Sequence, residues 1–286
     1  MKIVVEHNIK DIADDIAKII EIQHDFFVMD EGRLELYFSE KCTHLDPAVA
    51  VIVGAMPIVA KGKDKVVVYR FLDEVNHPVL AFMKKVGIYK HYTYKEEGFT
   101  GDNVIPFGTI SNEDVMETYT DLIIKHAPIA MTKLASDTLS SYFYEIYQNS
   151  IFHSGSPHGA FSSGMWSPEK KKLSFSIYDA GIGIIENIRQ HEQKELAEER
   201  CLDLAFCSGY TTRRDYVCRG LGLHQLENFI RLNRGMLSMY TNNMECIIDD
   251  EHEERRYRKL EKSIIGTLII INIKADENHE YKLKSE

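Results

Sequence analysis

The stretch Leu173-Ser174-Phe175-Ser176-Ile177-Tyr178-Asp179-Ala180-Gly181-Ile182-Gly183 decides how this chain is read. Leu173 to Tyr178 alternates apolar and polar residues, which predicts a β-strand. Asp179 ends that strand, and Gly181 and Gly183 form a turn where no Cβ keeps another backbone or a ligand at a distance. Upstream, Glu145-Ile-Tyr-Gln-Asn149 sets a carboxylate and an amide four residues apart, on one face of a predicted helix, with His153 a further turn along. Downstream, Gly220-Leu221-Gly222-Leu223 leads into a predicted helix from Leu223 to Asn233, whose first amides and dipole suit phosphate oxygens. Gly266-Thr267 opens a last apolar strand running to Ile273.

Each piece has an ordinary reading of its own. Asp-x-Gly is a common turn, the Ser208 to Arg219 loop suits plain surface, and Gly266-Thr267 suits any strand start. The helix is harder to read as ordinary. Tyr144, Ile146, Tyr147, Ile151 and Phe152 make it apolar enough to be largely buried, so Glu145 and Asn149 need partners there.

In this order the motifs resemble the GHKL superfamily of ATP-binding domains, which includes gyrase, ATP-dependent chaperones, mismatch-repair ATPases, sensor histidine kinases and anti-sigma-factor serine kinases. The resemblance covers residues 111–276. It implies ATP and Mg²⁺ as ligands, with Glu145 the catalytic base and Asn149 the Mg²⁺ ligand through its amide oxygen. It implies that Asp179 accepts a hydrogen bond from the adenine N6 amine, which guanine cannot supply. Gly181 and Gly183 would approach the nucleotide, and Thr267 would support the adenine carboxylate. Gly220, Leu221, Gly222 and Leu223 would seat the phosphates. Thr212 and Arg213 would belong to a nucleotide lid, with Arg219 a second candidate for a charged fork. His126 stands in Lys-His-Ala-Pro with no acidic residue directly after it, and no long heptad helix precedes the ATP domain. The phosphoacceptor motif of sensor histidine kinases is therefore missing.

The first 92 residues predict a small α/β domain. Its elements are a strand Lys2 to Val5, a helix Ile9 to Ile22, a strand Leu34 to Phe38, a helix Pro47 to Ala60, a covered Val-rich strand Val66 to Tyr69 and a helix Pro78 to Val86. Leu34-x-Leu-x-Phe38, Leu45-Asp46 and Phe82-Met-Lys-Lys-Val-Gly87-Ile resemble STAS domains, the fold of anti-anti-sigma factors. The family's phosphorylatable serine follows the aspartate that starts the middle helix, whereas here Pro47, Ala48 and Val49 follow Asp46. This implies a docking or dimerisation module without the phosphoswitch. Residues 93–110 carry Gly98, Gly101, Pro106 and Gly108 without periodicity and read as a linker. Ser111 and Asp114 predict a capping box for a helix ending before Pro128. A second helix runs from about Met131 through Glu145, a hairpin joins strands Ala160 to Trp166 and Leu173 to Tyr178, and a helix covers Leu196 to Phe206. Met236 to Ile248 reads as one strand, the charged run Asp249 to Lys262 as a solvated helical face, and residues 277–286 as a tail. The expected fold class is α/β (α+β), a STAS-like domain followed by a sandwich whose mixed sheet is covered by helices on one face.

Across its 286 residues the chain carries a net charge of -10, so no global cationic field favours nucleic acid. Lys170 to Lys172 reads as a hairpin tip rather than a basic patch. Cys42, Cys201, Cys207, Cys218 and Cys246 show no C-x-x-C pair and no metal spacing with histidine, which fits a reducing, cytoplasmic setting. The N-terminus lacks the apolar core of a signal peptide, and no apolar run is long enough for a membrane span. Three functions remain open: an ATP-hydrolysing conformational switch, a serine/threonine protein kinase of the anti-sigma type, and a nucleotide-holding module without turnover. A protein partner or regulator is expected in each, with a homodimer through the N-terminal domain or the helix before Pro128 as one form of it.

Overall fold

The computed structural model describes residues 1–29, 31–71, 76–89, 103–126, 132–210, 212 and 222–274. Arg213, Arg219, Gly220 and Leu221 of the expected site, Cys218, Pro128, residues 93–102 of the expected linker and the tail 277–286 lie outside them. The protein is α+β, and its described residues form two sheets.

The first sheet is parallel, in the order β1 (Lys2–Val5), β2 (Arg33–Phe38), β3 (Val66–Phe71). Helices α1 (Ala13–Val28), α2 (Pro47–Lys61) and α3 (Pro78–Lys85) connect and follow these strands. Asp46 caps α2 by accepting the Ala48 amide at 3.0 Å, and Pro47 fills the first turn, where its missing N–H is no loss.

The second sheet runs β4 (Val104–Ile110), β5 (Ala160–Ser167), β6 (Lys172–Asp179), β10 (Thr267–Lys274), β7 (Met236–Thr241), β8 (Met244–Asp249), β9 (Arg256–Lys259). Its helices are α4 (Glu113–His126), α5 (Lys133–Phe152), α6 (Ile184–Glu192), α7 (Glu198–Ala205) and α8 (Gly222–Leu232). The expected mixed sheet is antiparallel throughout, because β10 inserts between β6 and β7 and runs against both.

Both faces of this sheet are covered, not one. Leu173, Phe175, Ile177, Ile269 and Ile271 point to the helical layer. There Phe143 of α5 meets Phe175 edge-on at 4.8 Å, and the Tyr147 hydroxyl bonds Ser162 Oγ at 2.8 Å. Phe161, Tyr178, Leu268 and Ile270, on the alternate side, join the core of the N-terminal segment. The helix α2 lies there, between β3 on one side and β5 and β6 on the other, and the Ser176 hydroxyl donates to the Ala48 carbonyl. The run Leu268-Ile-Ile-Ile271 carries this arrangement, since a strand covered on both faces can be apolar at every position.

Several expected elements are corrected. Residues 104–110 are not linker but the edge strand β4, where Pro106 is tolerated because the register shifts between Ile105 and Gly108. The first helix begins at Ala13 and runs on to Val28, because Ile9 is held extended by pairing with Leu45. Asn112, not Ser111, caps α4 by accepting the Val115 amide at 3.0 Å. Met236 to Ile248 splits into the hairpin β7 and β8 around Asn242, whose φ is +51°. The charged run contributes β9, paired with β8, instead of a helix.

Among the described residues no helix is long and apolar enough to cross a membrane. Cys42, Cys201, Cys207 and Cys246 are free thiols.

Candidate functional site

An open cleft of about 1020 Å³, counting the solvent at its mouth, lies where α5, α6 and the start of α8 meet the ends of β6 and β10. Glu145 and Asn149 reach it from α5, Asp179 from β6, Thr267 from β10, Gly183 from the turn before α6, Leu223 from α8, and Thr212 from the loop between α7 and α8. These are motif residues spread over more than a hundred positions of sequence. Among the described residues the Asn149 side chain makes no hydrogen bond, and it lines the cleft.

Asp179 is strongly perturbed there. Its Oδ1 accepts the Gly181 amide at 3.0 Å, and the Thr267 backbone and the Ser154 side chain, whose hydroxyl donates to the Ser150 carbonyl, lie close to the carboxylate and favour its charged form. Burial outweighs these and pushes its pKa up to about 7. The strand register sets this geometry, since Asp179 stands directly opposite Thr267. It is the Thr267 backbone that lies beside the Asp179 carboxylate. Its hydroxyl instead pairs with Thr241 Oγ1 at 3.0 Å, and Thr241 accepts the Ile184 amide at 2.8 Å at the head of α6.

The glycines crowd against the chain itself. A Cβ at Gly181 would fall 2.0 Å from the Ser154 carbonyl oxygen, and one at Gly183, whose φ is +84°, would fall 2.3 Å from Asn242 Oδ1. Gly181 lies outside the cleft lining, so its role there is to let the strand end close on the Ser154 turn. Gly222 likewise lies outside the lining but supports it, packing on the Glu145 side chain from the first turn of α8. Arg213, Gly220 and Leu221 fall outside the described residues.

Sequence reasoning missed α6 altogether and with it Asn187 and Ile188, which line the cleft. Its N-terminal amides are capped from a distant turn, Ile184 by Thr241 and Ile185 by Asn242 Oδ1 at 3.2 Å, so no local capping residue announces it. Asn187 Nδ2 donates to the His153 carbonyl, tying α6 to the end of α5. Gln148, Ser154 and Tyr210 also line the cleft, and the Tyr210 hydroxyl donates to Glu192 at 2.9 Å. His153 reaches the cleft as well. Among the described residues no group of three or more His, Cys, Asp or Glu side chains is placed to hold a metal ion.

The lining combines a buried hydrogen-bond acceptor at Asp179, apolar surface from Ile184, Ile188 and Ile269, and a carboxylate and an amide from Glu145 and Asn149. Such a cleft can hold a flat, amine-bearing ring and direct a water molecule beside it. Compared with known proteins, the chain matches no protein-family model and no curated protein sequence.

Proposed function

We propose that this protein binds ATP with Mg²⁺ in the cleft and hydrolyses it as a conformational switch coupled to its N-terminal three-stranded module. One observation carries this reading. Asp179, a buried carboxylate held by the Gly181 amide and standing opposite Thr267, shares a single cleft with Glu145 and Asn149. A buried acceptor of this kind suits the exocyclic amine of adenine. Ile184, Ile188 and Ile269 offer apolar surface to the ring.

The helix α8 would direct its first amides at phosphate oxygens. Asn149 would contribute its amide oxygen to Mg²⁺, which otherwise takes its ligands from phosphates and water and neutralises phosphate charge when bound. Glu145 would orient a water and accept its proton, which is the step the switch depends on. The protein would act in the cytoplasm on a protein partner or regulator.

A kinase acting on its own STAS-like segment is disfavoured by the packing of α2. Pro47 and Ala48 stand where that family carries its phosphoacceptor, and both are buried, with Ala48 bonded to Ser176 of β6.

The test follows the γ-phosphate of labelled ATP with Mg²⁺ in cell extract, comparing the unaltered protein with Glu145→Ala and Asn149→Ala. Free phosphate that disappears in Glu145→Ala while nucleotide binding persists is the expected result. Label transferred to a serine or threonine of another protein would replace the switch by a kinase, and binding without label loss would leave only a nucleotide-holding module.

A further inference from the structure

Gln23 lies in the middle of α1, flanked by Ile19, Ile20 and Phe26, and is completely buried. An amide in such a place costs stability unless its atoms are bonded, and leucine or methionine would fill the same space without that demand. Its partners are far away in sequence. Gln23 Oε1 accepts the Ile265 amide at 3.0 Å, Gln23 Nε2 donates to the Tyr178 hydroxyl at 2.8 Å, and that hydroxyl donates to the Ile265 carbonyl at 2.8 Å. The direction of each bond is determined. A backbone N–H can only donate, so the amide oxygen must face Ile265, the NH₂ must face Tyr178, and the phenol proton is left for the Ile265 carbonyl. The result is a closed ring of three hydrogen bonds.

Both strands gripped by this ring carry cleft residues at the next positions. Tyr178 precedes Asp179 on β6, and Ile265 is followed by Gly266 and Thr267 at the start of β10. Gly266 has a φ of +83°, and a Cβ there would lie 1.9 Å from the Asp179 carbonyl oxygen, so the Ile265 to Thr267 segment touches Asp179 at more than one point. Thr267 in turn stands directly opposite Asp179 in the strand register. Other contacts cross between the N-terminal segment and the sheet, such as Asn272 Nδ2 to Asp11 at 2.7 Å at the far end of β10, Ser176 to the Ala48 carbonyl in the middle of β6, and His24 Nδ1 to the Ser263 carbonyl at 2.9 Å before β10, but each reaches one strand or its approach alone. Only the Gln23 ring, among these described contacts, reaches both strands at the cleft end.

We infer that Gln23 is a positioning residue for the base-reading carboxylate: it holds the ends of β6 and β10 in register so that the Gly266–Thr267 segment stays packed against Asp179. This rests on the reading of Asp179 as the adenine acceptor. It assigns to a side chain of the N-terminal segment, behind the sheet, a direct share in how the cleft discriminates bases.

Gln23→Met keeps the volume and removes the amide, leaving the bond from Tyr178 to the Ile265 carbonyl but orphaning the Ile265 amide. In the ligand-free full chain, hydrogen exchange at the Gly266 and Thr267 amides is expected to quicken by about tenfold or more relative to the β7 and β8 hairpin. The ratio of GTP to ATP dissociation constants, measured well below the unfolding temperature, is expected to fall by about fivefold or more. A merely structural role would lower thermal stability and quicken exchange throughout without moving either selective readout, and that outcome overturns the inference. If Gln23→Met does not fold, Tyr178→Phe breaks the same ring from the other side and is read identically. Asp179→Asn separates the two claims. Retained preference for ATP in Asp179→Asn sinks the adenine reading, while the exchange at Thr267, which needs no nucleotide, still decides whether Gln23 positions that segment.

Discussion

Gly222 and Glu145 are in close contact: a Cβ added to Gly222 would lie 2.7 Å from Glu145 Cδ and 2.9 Å from its Oε2. The first residue of α8 thus needs to be glycine for the carboxylate on α5 to keep its place. This gives the motif glycine a function that phosphate contact does not explain.

Gly222→Ala is therefore expected to push Glu145 aside while leaving the Asp179 end of the cleft alone. Turnover of ATP should fall by about 10- to 100-fold, since a displacement near 1 Å at a catalytic group costs that much. ADP affinity should stay within about threefold, because ADP does not depend on a positioned base. Steady-state phosphate release alongside calorimetric ADP titration would measure both, and undiminished turnover would count against Glu145 as the base.

The pKa of Asp179, raised from 3.8 to about 7, makes stability depend on pH in a definite direction. Between these values the folded protein keeps a proton that the unfolded chain has released. Stability attributable to this group therefore falls as pH rises from about 4 to about 7 and levels off above that. The cost at pH 8 is on the order of 4 kcal/mol for a group this deeply buried. Asp179→Asn should accordingly melt at a higher temperature than the unaltered protein at pH 8 and lose that advantage at pH 4, while binding ATP poorly. An adenine amine favours the ionised carboxylate, so ATP binding at pH 7 should release a fraction of a proton. Titration calorimetry in buffers of different ionisation enthalpy would detect it, and no buffer dependence would mean that ATP does not bond to Asp179.

The helix α2 joins the two sheets into one core, with Gly54 against Phe107 of β4. A Cβ at Gly54 would lie 2.6 Å from Phe107 Cε2, and that ring is stacked nearly parallel to Phe161 at 6.1 Å. Gly54→Val is expected to destabilise the protein by about 1–3 kcal/mol through overpacking. Because both sheets contribute to that core, the chain should still unfold in one transition, with the N-terminal segment and the seven-stranded sheet moving together. Urea unfolding followed by hydrogen exchange would show it. Separate transitions, only one of them shifted by the substitution, would mean that the two sheets are independent.

Much of the site was legible because its residues have narrow chemical uses. A glutamate and an asparagine one turn apart on an apolar helix, and an aspartate closing an alternating strand before two glycines, are patterns whose spacing survives folding unchanged. Strand alternation also located β5 and β6 closely. What was illegible depended on partners remote in sequence. The helix α6 has caps supplied by Thr241 and Asn242, and β4 hides behind Pro106 and a register shift. The strand β9 and Arg255 just before it come from the charged run because Glu227, Asp203 and Glu245 pair with Arg255, Tyr257 and Arg258.

By itself, then, the sequence determined the α+β class, the central hairpin and the identity of the polar groups that meet in the cleft, because side-chain period and local spacing are properties of neighbouring residues. The tertiary structure alone decided that β10 enters between β6 and β7, that α2 covers the second face of the sheet, and that Gln23 holds the strand ends behind Asp179. Those outcomes depend on which apolar faces bury one another and which buried polar atoms find partners, and no local stretch of the chain contains that information.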